Sequence, residues 1–179
     1  MKIEVWFDFN HQESYQQMKA IEELLHEYVI EDLELLYRSY PLKHHEMHTY
    51  DAHRLSHLAK KYHAQHEFNL SLCEAIQHEN KDIADQEFLK NIAVKNYLDG
   101  KMVYEVLSSN AYFDQVESNL ENALFKKIHS IPHIRIEGKI KLDGYHSKDA
   151  MIEALNTAKA TLKTNEHCIG EHCGRKKAH

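Results

Sequence analysis

The chain opens on an alternation in which Ile3, Val5 and Phe7 fall on one side of an extended segment, and Trp6 makes the other side apolar too. Apolar character on both faces predicts a central strand. From Tyr15 the period turns helical, with Met18, Ile21, Leu25 and Tyr28 on one stripe, so a first helix is expected to about Glu27. Asn10 suits an N-cap, and Glu13 stands at capping-box spacing from it. The backbone N–H groups of residues 11–13 would then point out of a helix end, a place that attracts anions and lowers a thiol pKa. A second strand is expected over Leu33–Tyr40, closed by Pro41. Strand, helix and strand in this order predict a parallel βαβ unit.

After Pro41 the strand signal disappears. Thr49 or Asp51 can start a helix carrying Leu55, Leu58, Ala59 and Tyr62, and a second carries Phe68, Leu72, Ala75 and Ile76. Asp85 caps a third that ends near Gly100, Met102–Leu107 makes a short fourth, and Asn110 caps a fifth with Val116, Leu120 and Ala123. Alternation returns at Ile131–Ile136 and Ile140–Leu142 around Glu137-Gly138-Lys139, a hairpin signature. Ser147 then caps a last helix with Met151, Ala154, Leu155 and Ala158, and a polar, basic tail begins near Lys163. The pattern is α/β with a helical insertion.

Composition narrows the class. A chain of 179 residues suits one domain carrying an insertion. Net charge is −6 with dispersed basic residues apart from Arg175-Lys176-Lys177, which argues against a nucleic-acid or membrane-surface partner. The start carries no signal-like or spanning run, so a cytoplasmic protein is expected. Three cysteines, Cys73, Cys168 and Cys173, are too few for a disulfide framework, and a close pair points to redox or metal chemistry.

Trp6 with Asp8-Phe9, Tyr37-Arg38-Ser39, Thr49-Tyr50-Asp51-Ala52-His53-Arg54-Leu55, Lys81-Asp82-Ile83 and Ser130-Ile131-Pro132 resemble the DsbA family, most closely its cytoplasmic FrnE-like branch, over residues 2–158. The resemblance implies a thioredoxin-like fold with an inserted all-helical domain. Residues 1–42 and 128–162 would form the thioredoxin-like part, 43–127 the insertion, and 163–179 a Cys- and His-containing tail. It also implies a thiol-disulfide oxidoreductase acting on protein or peptide substrates, with Pro132 as a cis-proline beside the active-site helix. The departure is at the catalytic position, where His11-Gln12-Glu13-Ser14 replaces Cys-x-x-Cys. Neither imidazole nor hydroxyl can form a mixed disulfide, so dithiol chemistry is excluded there. Ser14-Tyr15 also matches part of the site of the related kappa-class glutathione transferases and hydroxychromene-carboxylate isomerases, but His11 does not match their reactive serine. Glutathione is therefore not expected as a cofactor.

Three candidate sites follow. His11, Ser14, Ile131 and Pro132 would line a retained substrate groove, where a histidine can hydrogen-bond a substrate or activate a thiol; the bland reading is that His11 fills the gap left by a cysteine. In the tail, Cys168 and Cys173 could be the catalytic dithiol, with Gly170 easing the short ring and the nearby basic residues favouring thiolate. His167, Cys168, His172 and Cys173 are equally a soft set of the kind zinc takes, and an idle tail is the third reading. The histidines His44, His45, His48, His53, His57, His63 and His66 include a helical pair, His53 and His57, at metal-site spacing, although a polar face written in histidine explains them as well, and His53, within the family-like Asp51-Ala52-His53-Arg54 segment, reads as structural at the insertion's base. Cys73 falls on an apolar helix face and reads as a small buried hydrophobe.

Overall fold

A computed structural model of the chain describes residues 1–42, 49–79 and 81–167, with 163–167 through their backbone alone. β1 (Lys2–Phe7) is buried along Ile3–Phe7 and is central in a four-stranded sheet of order β2-β1-β3-β4, as its two apolar faces predict. β2 (Glu34–Ser39) pairs with it in parallel through α1 (Gln12–Glu27), completing the βαβ unit. β3 (His133–Ile136) runs antiparallel to β1, and β4 (Ile140–Asp143) closes a hairpin. Glu137 and Gly138 both take positive φ, and Lys139 N–H bonds Ile136 O at 3.1 Å, which is the sign pattern of a type I′ turn.

Five helices separate the two halves: α2 (Tyr50–Lys61), α3 (Gln65–Glu79), α4 (Gln86–Lys95), α5 (Gly100–Ser108) and α6 (Phe113–Phe125). The final helix, α7 (Lys148–His167), packs with α1. Phe7, Phe9, Met18, Ile21, Leu55, Phe68, Leu72 and Ile134 join sheet, α1 and insertion in one core. Trp6 faces away from it, with Ala123, Ile128 and Ile131. That second face also buries Glu4, whose carboxylate burial would raise in pKa but which hydrogen bonds and charge from Arg38 (2.6 Å) and Lys126 (3.1 Å) lower overall. Among the described residues no helix is long and apolar enough to cross a membrane.

Several boundaries differ from expectation, each for a local reason. His11, not Asn10, is the N-cap of α1, and no side chain caps that end; the His11 N–H is drawn back to Asp8 O at 3.3 Å, which starts the helix one residue later. Gly100 opens α5 instead of ending α4, because the Asp99 carboxylate accepts the N–H groups of Lys101 and Met102. Asn110 does not cap α6; Tyr112 does, at φ 63, with Asn110 O taking the Phe113 N–H in the preceding turn. Asp85 caps α4 as its spacing predicts, accepting from Glu87 and Phe88 N–H. Finally, α7 runs on to His167, past the expected start of the tail.

Candidate functional site

The strand-to-helix junction is organised by Asp8, a carboxylate only 2% exposed. Its Oδ1 accepts the Phe9 N–H at 2.8 Å and meets His53 Nε2 at 3.2 Å; its Oδ2 accepts the Leu42 N–H at 3.0 Å. An ionised carboxylate only accepts, so His53 Nε2 carries the proton it donates. Burial would raise the Asp8 pKa, but the His53 bond and charge, the Leu42 N–H and the Thr49 side chain outweigh it and hold the group below its usual value. His53 projects from the first turn of α2, and its ring lies 5.1 Å from Phe7 and 4.8 Å from Phe9. Asp8 therefore ties the end of β1 to both the end of β2 and the base of the helical insertion.

Above this anchor, Ser14 Oγ accepts the Asp8 N–H at 3.5 Å and lies 3.2 Å from His11 Nδ1. With one lone pair taken by the amide, the serine proton can go to Nδ1, leaving Nε2–H of the partly exposed His11 as an outward donor. Ser14 is 1% exposed, so it supports His11 and offers no accessible nucleophile. The Ile131–Pro132 peptide is cis, as the resemblance implies. In the sheet register Trp6 pairs with His133, which sets Pro132 at the same end of the sheet as Asp8 and His11. Ile131 turns inward and is buried with Trp6, Ala123 and Ile128. Of the four expected groove residues, the structure thus joins His11 with Ser14, sets Pro132 at that end, and sends Ile131 into a core.

The histidine pair of α2 diverges. His57 Nε2 meets Ser39 Oγ at 3.2 Å and Asn119 Nδ2 at 3.1 Å, while His53 faces Asp8, so they share no ligand position. Nor are they a solvated face, since His53 is fully buried. Among the described residues no group of three or more His, Cys, Asp or Glu could hold a metal ion. Burial of His57, helped by charge on His53, Lys60 and Arg38, brings its pKa down to about 4 from 6.5. The unfolded chain therefore takes up this proton well before the folded one, and stability falls as pH drops from 6.5 towards 4 while remaining whole above that window. Urea unfolding at pH 7 and pH 4.5 should show wild type losing about 2 kcal/mol more than His57→Gln over that interval; equal losses would contradict the assignment.

Cys73 on α3 is fully buried, 3.8 Å from Met18 Sδ, and burial pushes its thiol well above the usual range. Cys168, Cys173 and His172 lie outside the described residues, as do the side chain of His167 and residues His44, His45 and His48. The helix that leads to the tail is described. It begins beside Gln17, where His146 N–H reaches Gln17 Oε1 at 2.8 Å, and its late turns, with Ala158, Thr161 and Leu162, meet the hairpin tip at Ile136–Ile140. That tip bonds Lys2 O through Glu137 N–H at 2.9 Å, so α7 carries the chain to the end of the sheet opposite His11.

A DSBA-like thioredoxin domain model matches residues 2–156. The chain belongs to the DSBA-like thioredoxin domain family. Solved structures of DsbA proteins share its fold: a probable DsbA oxidoreductase of Streptomyces coelicolor superposes with TM-score 0.82 at 19% identity, over 89% of this chain and 90% of that one. Neisseria meningitidis DsbA1 gives 0.72 at 13%, over 93% and 86%, and Pseudomonas aeruginosa DsbA 0.67 at 15%, over 90% and 85%. No curated protein matches the chain. Sequence spacing could locate His11 and Ser14 in this DsbA-family site, but the contacts from Asp8 to Leu42 and His53 join positions 34 and 45 residues apart and leave no local signal.

Proposed function

We propose that this chain is a FrnE-like, cytoplasmic DsbA-family protein that binds protein substrates at the end of the sheet marked by His11 and Pro132, with any residual disulfide exchange carried separately by Cys168 and Cys173 of the tail to which α7 leads. The observation that carries the reading is the His11–Ser14 contact at 3.2 Å, which fills the dithiol position with groups that cannot form a mixed disulfide. Cys73 offers no alternative, being buried with a raised thiol pKa. In the tail, a thiolate of one cysteine attacks a substrate disulfide, breaking its S–S bond and releasing one substrate thiolate. The other cysteine then displaces the second substrate sulfur, so the substrate is reduced as Cys168 and Cys173 become a disulfide.

Insulin reduction by dithiothreitol tests this. Wild type should accelerate it, and Cys168→Ser should return the rate to background; undiminished catalysis by Cys168→Ser would sink the proposal. Intact mass adds a second readout: a loss of two hydrogens on oxidation reports the Cys168–Cys173 disulfide, whereas an added zinc mass under native conditions reports the set His167, Cys168, His172 and Cys173. A wild type that retains reduced polypeptide with or without dithiothreitol, yet leaves insulin untouched, would instead be a non-exchanging binding protein.

A further inference from the structure

The sheet has two edges, and the one formed by β2 is open to a groove of about 380 Å³ running along Leu33–Tyr37. Glu34 N–H bonds Met1 O at 2.8 Å and Tyr40 N–H bonds Phe7 O at 2.9 Å, so the even-numbered residues of β2 direct their backbone groups to β1. The parity leaves the half-buried Leu33 and Leu35 with backbone donors and acceptors pointing outward, and neither N–H has a hydrogen-bond partner among the described residues; Tyr37 shares the parity but is 3% exposed. At Ser39 the edge is covered, because its hydroxyl meets His57 of α2. The far wall of the groove is the corner between α2 and α3, with Lys60, His63, Gln65, His66 and Glu67. His66 is fixed there: Tyr37 OH is 2.6 Å from its Nδ1, and its Nε2 bonds Glu22.

We propose that this groove binds an extended, basic polypeptide segment by strand addition to β2, at a site separate from the one at His11 and Pro132. Unpaired main-chain groups at an edge call for another main chain, and two to three residues of a strand suffice to meet Leu33 and Leu35. The groove is recessed behind α2 and α3, so the same recess on a second copy would hold two β2 edges apart; a thin single strand fits where a second sheet does not. Its charge selects the segment. Glu34 and Glu67 are exposed and have no ion-pair partner among the described residues, against the single Lys60. A peptide carrying lysine or arginine at its ends places positive charge beside them.

The probe is a fluorescein-labelled heptapeptide of alternating threonine and valine with a lysine at each end, titrated with full-length protein and read by fluorescence polarisation. Amides of an added strand alternate towards and away from the edge. N-methylation at positions of one parity should weaken binding at least tenfold, and at the other parity less than twofold. Leu35→Pro should weaken it at least tenfold while keeping the fold, since proline is tolerated on an edge where its N–H faced outward. Glu34→Lys with Glu67→Lys should weaken it at least fivefold. Absence of binding, or equal sensitivity to both N-methyl parities, would overturn the proposal whether or not Leu35→Pro folds. A dimer in sedimentation that Leu35→Pro dissociates would assign the edge to a second copy and overturn it too.

Discussion

Introducing two thiols with His11→Cys and Ser14→Cys, in a chain already carrying Cys168→Ser and Cys173→Ser, is expected to create disulfide exchange where the parent variant has none. The scaffold that such thiols need is present. Residues 11 and 14 stand at the N-terminus of a 16-residue helix, with no side chain capping that end. A thiol in that position has its pKa lowered, so a larger fraction is thiolate at neutral pH. The double substitution also removes the imidazole and hydroxyl that now bond each other at 3.2 Å, leaving no bulk to clear. Insulin reduction should rise clearly above the uncatalysed background that the parent variant leaves, and the single His11→Cys should form a stable mixed disulfide without turnover, because nothing resolves it. If the double variant oxidises to an intramolecular disulfide and still fails to exchange, the surroundings of residues 11 and 14 do not support exchange.

The largest loss of stability is expected from Arg54→Met. Arg54 sits in α2 with a side chain 7% exposed, and it donates to the carbonyls of Val106, Ser109 and Ala111 (2.8 Å for the last) and to Asp51 at 2.7 Å. Those carbonyls belong to the last turn of α5 and the link to α6, where a helix leaves its final C=O groups without internal partners. One guanidinium therefore ends α5, attaches it to α2 and sets a cation at the negative end of the helix. Methionine keeps the apolar stem and removes every donor. Leaving the buried Val106 carbonyl and the part-buried Ser109 and Ala111 carbonyls without this donor should cost on the order of 3 kcal/mol, or roughly 10 °C in melting temperature for a domain of this size. Circular dichroism melts would measure it, and a shift below about 2 °C would show that water replaces the arginine without penalty.

What the residues disclose by themselves follows a physical line. The central strand was legible because Trp6 broke its alternation in the apolar direction, and the hairpin because only a turn explains Glu137-Gly138-Lys139 between two alternating runs. Asp85 was legible as a cap, since capping acts over two or three residues. Gly100 was not, because a glycine can end a helix or merely begin the next, and the choice rests with Asp99. Tyr112 in a left-handed conformation was invisible, as nothing local favours a tyrosine there. At the candidate site, the spacing of His11 and Ser14 could be read directly. A structural place for His53 at the base of the insertion could be read too, but its partner could not: only the packing of the insertion on the sheet brings it to Asp8 at the end of β1.

Cys73 has a practical consequence. Packed from α3 against Met18 of α1, it is shielded from reagents for as long as the interior stays closed. In a chain with Cys168→Ser and Cys173→Ser it becomes the sole thiol, so the rate at which iodoacetamide labels it under native conditions counts opening events of the central core. The molecule thus carries its own clock for conformational opening, readable by mass spectrometry without adding any probe.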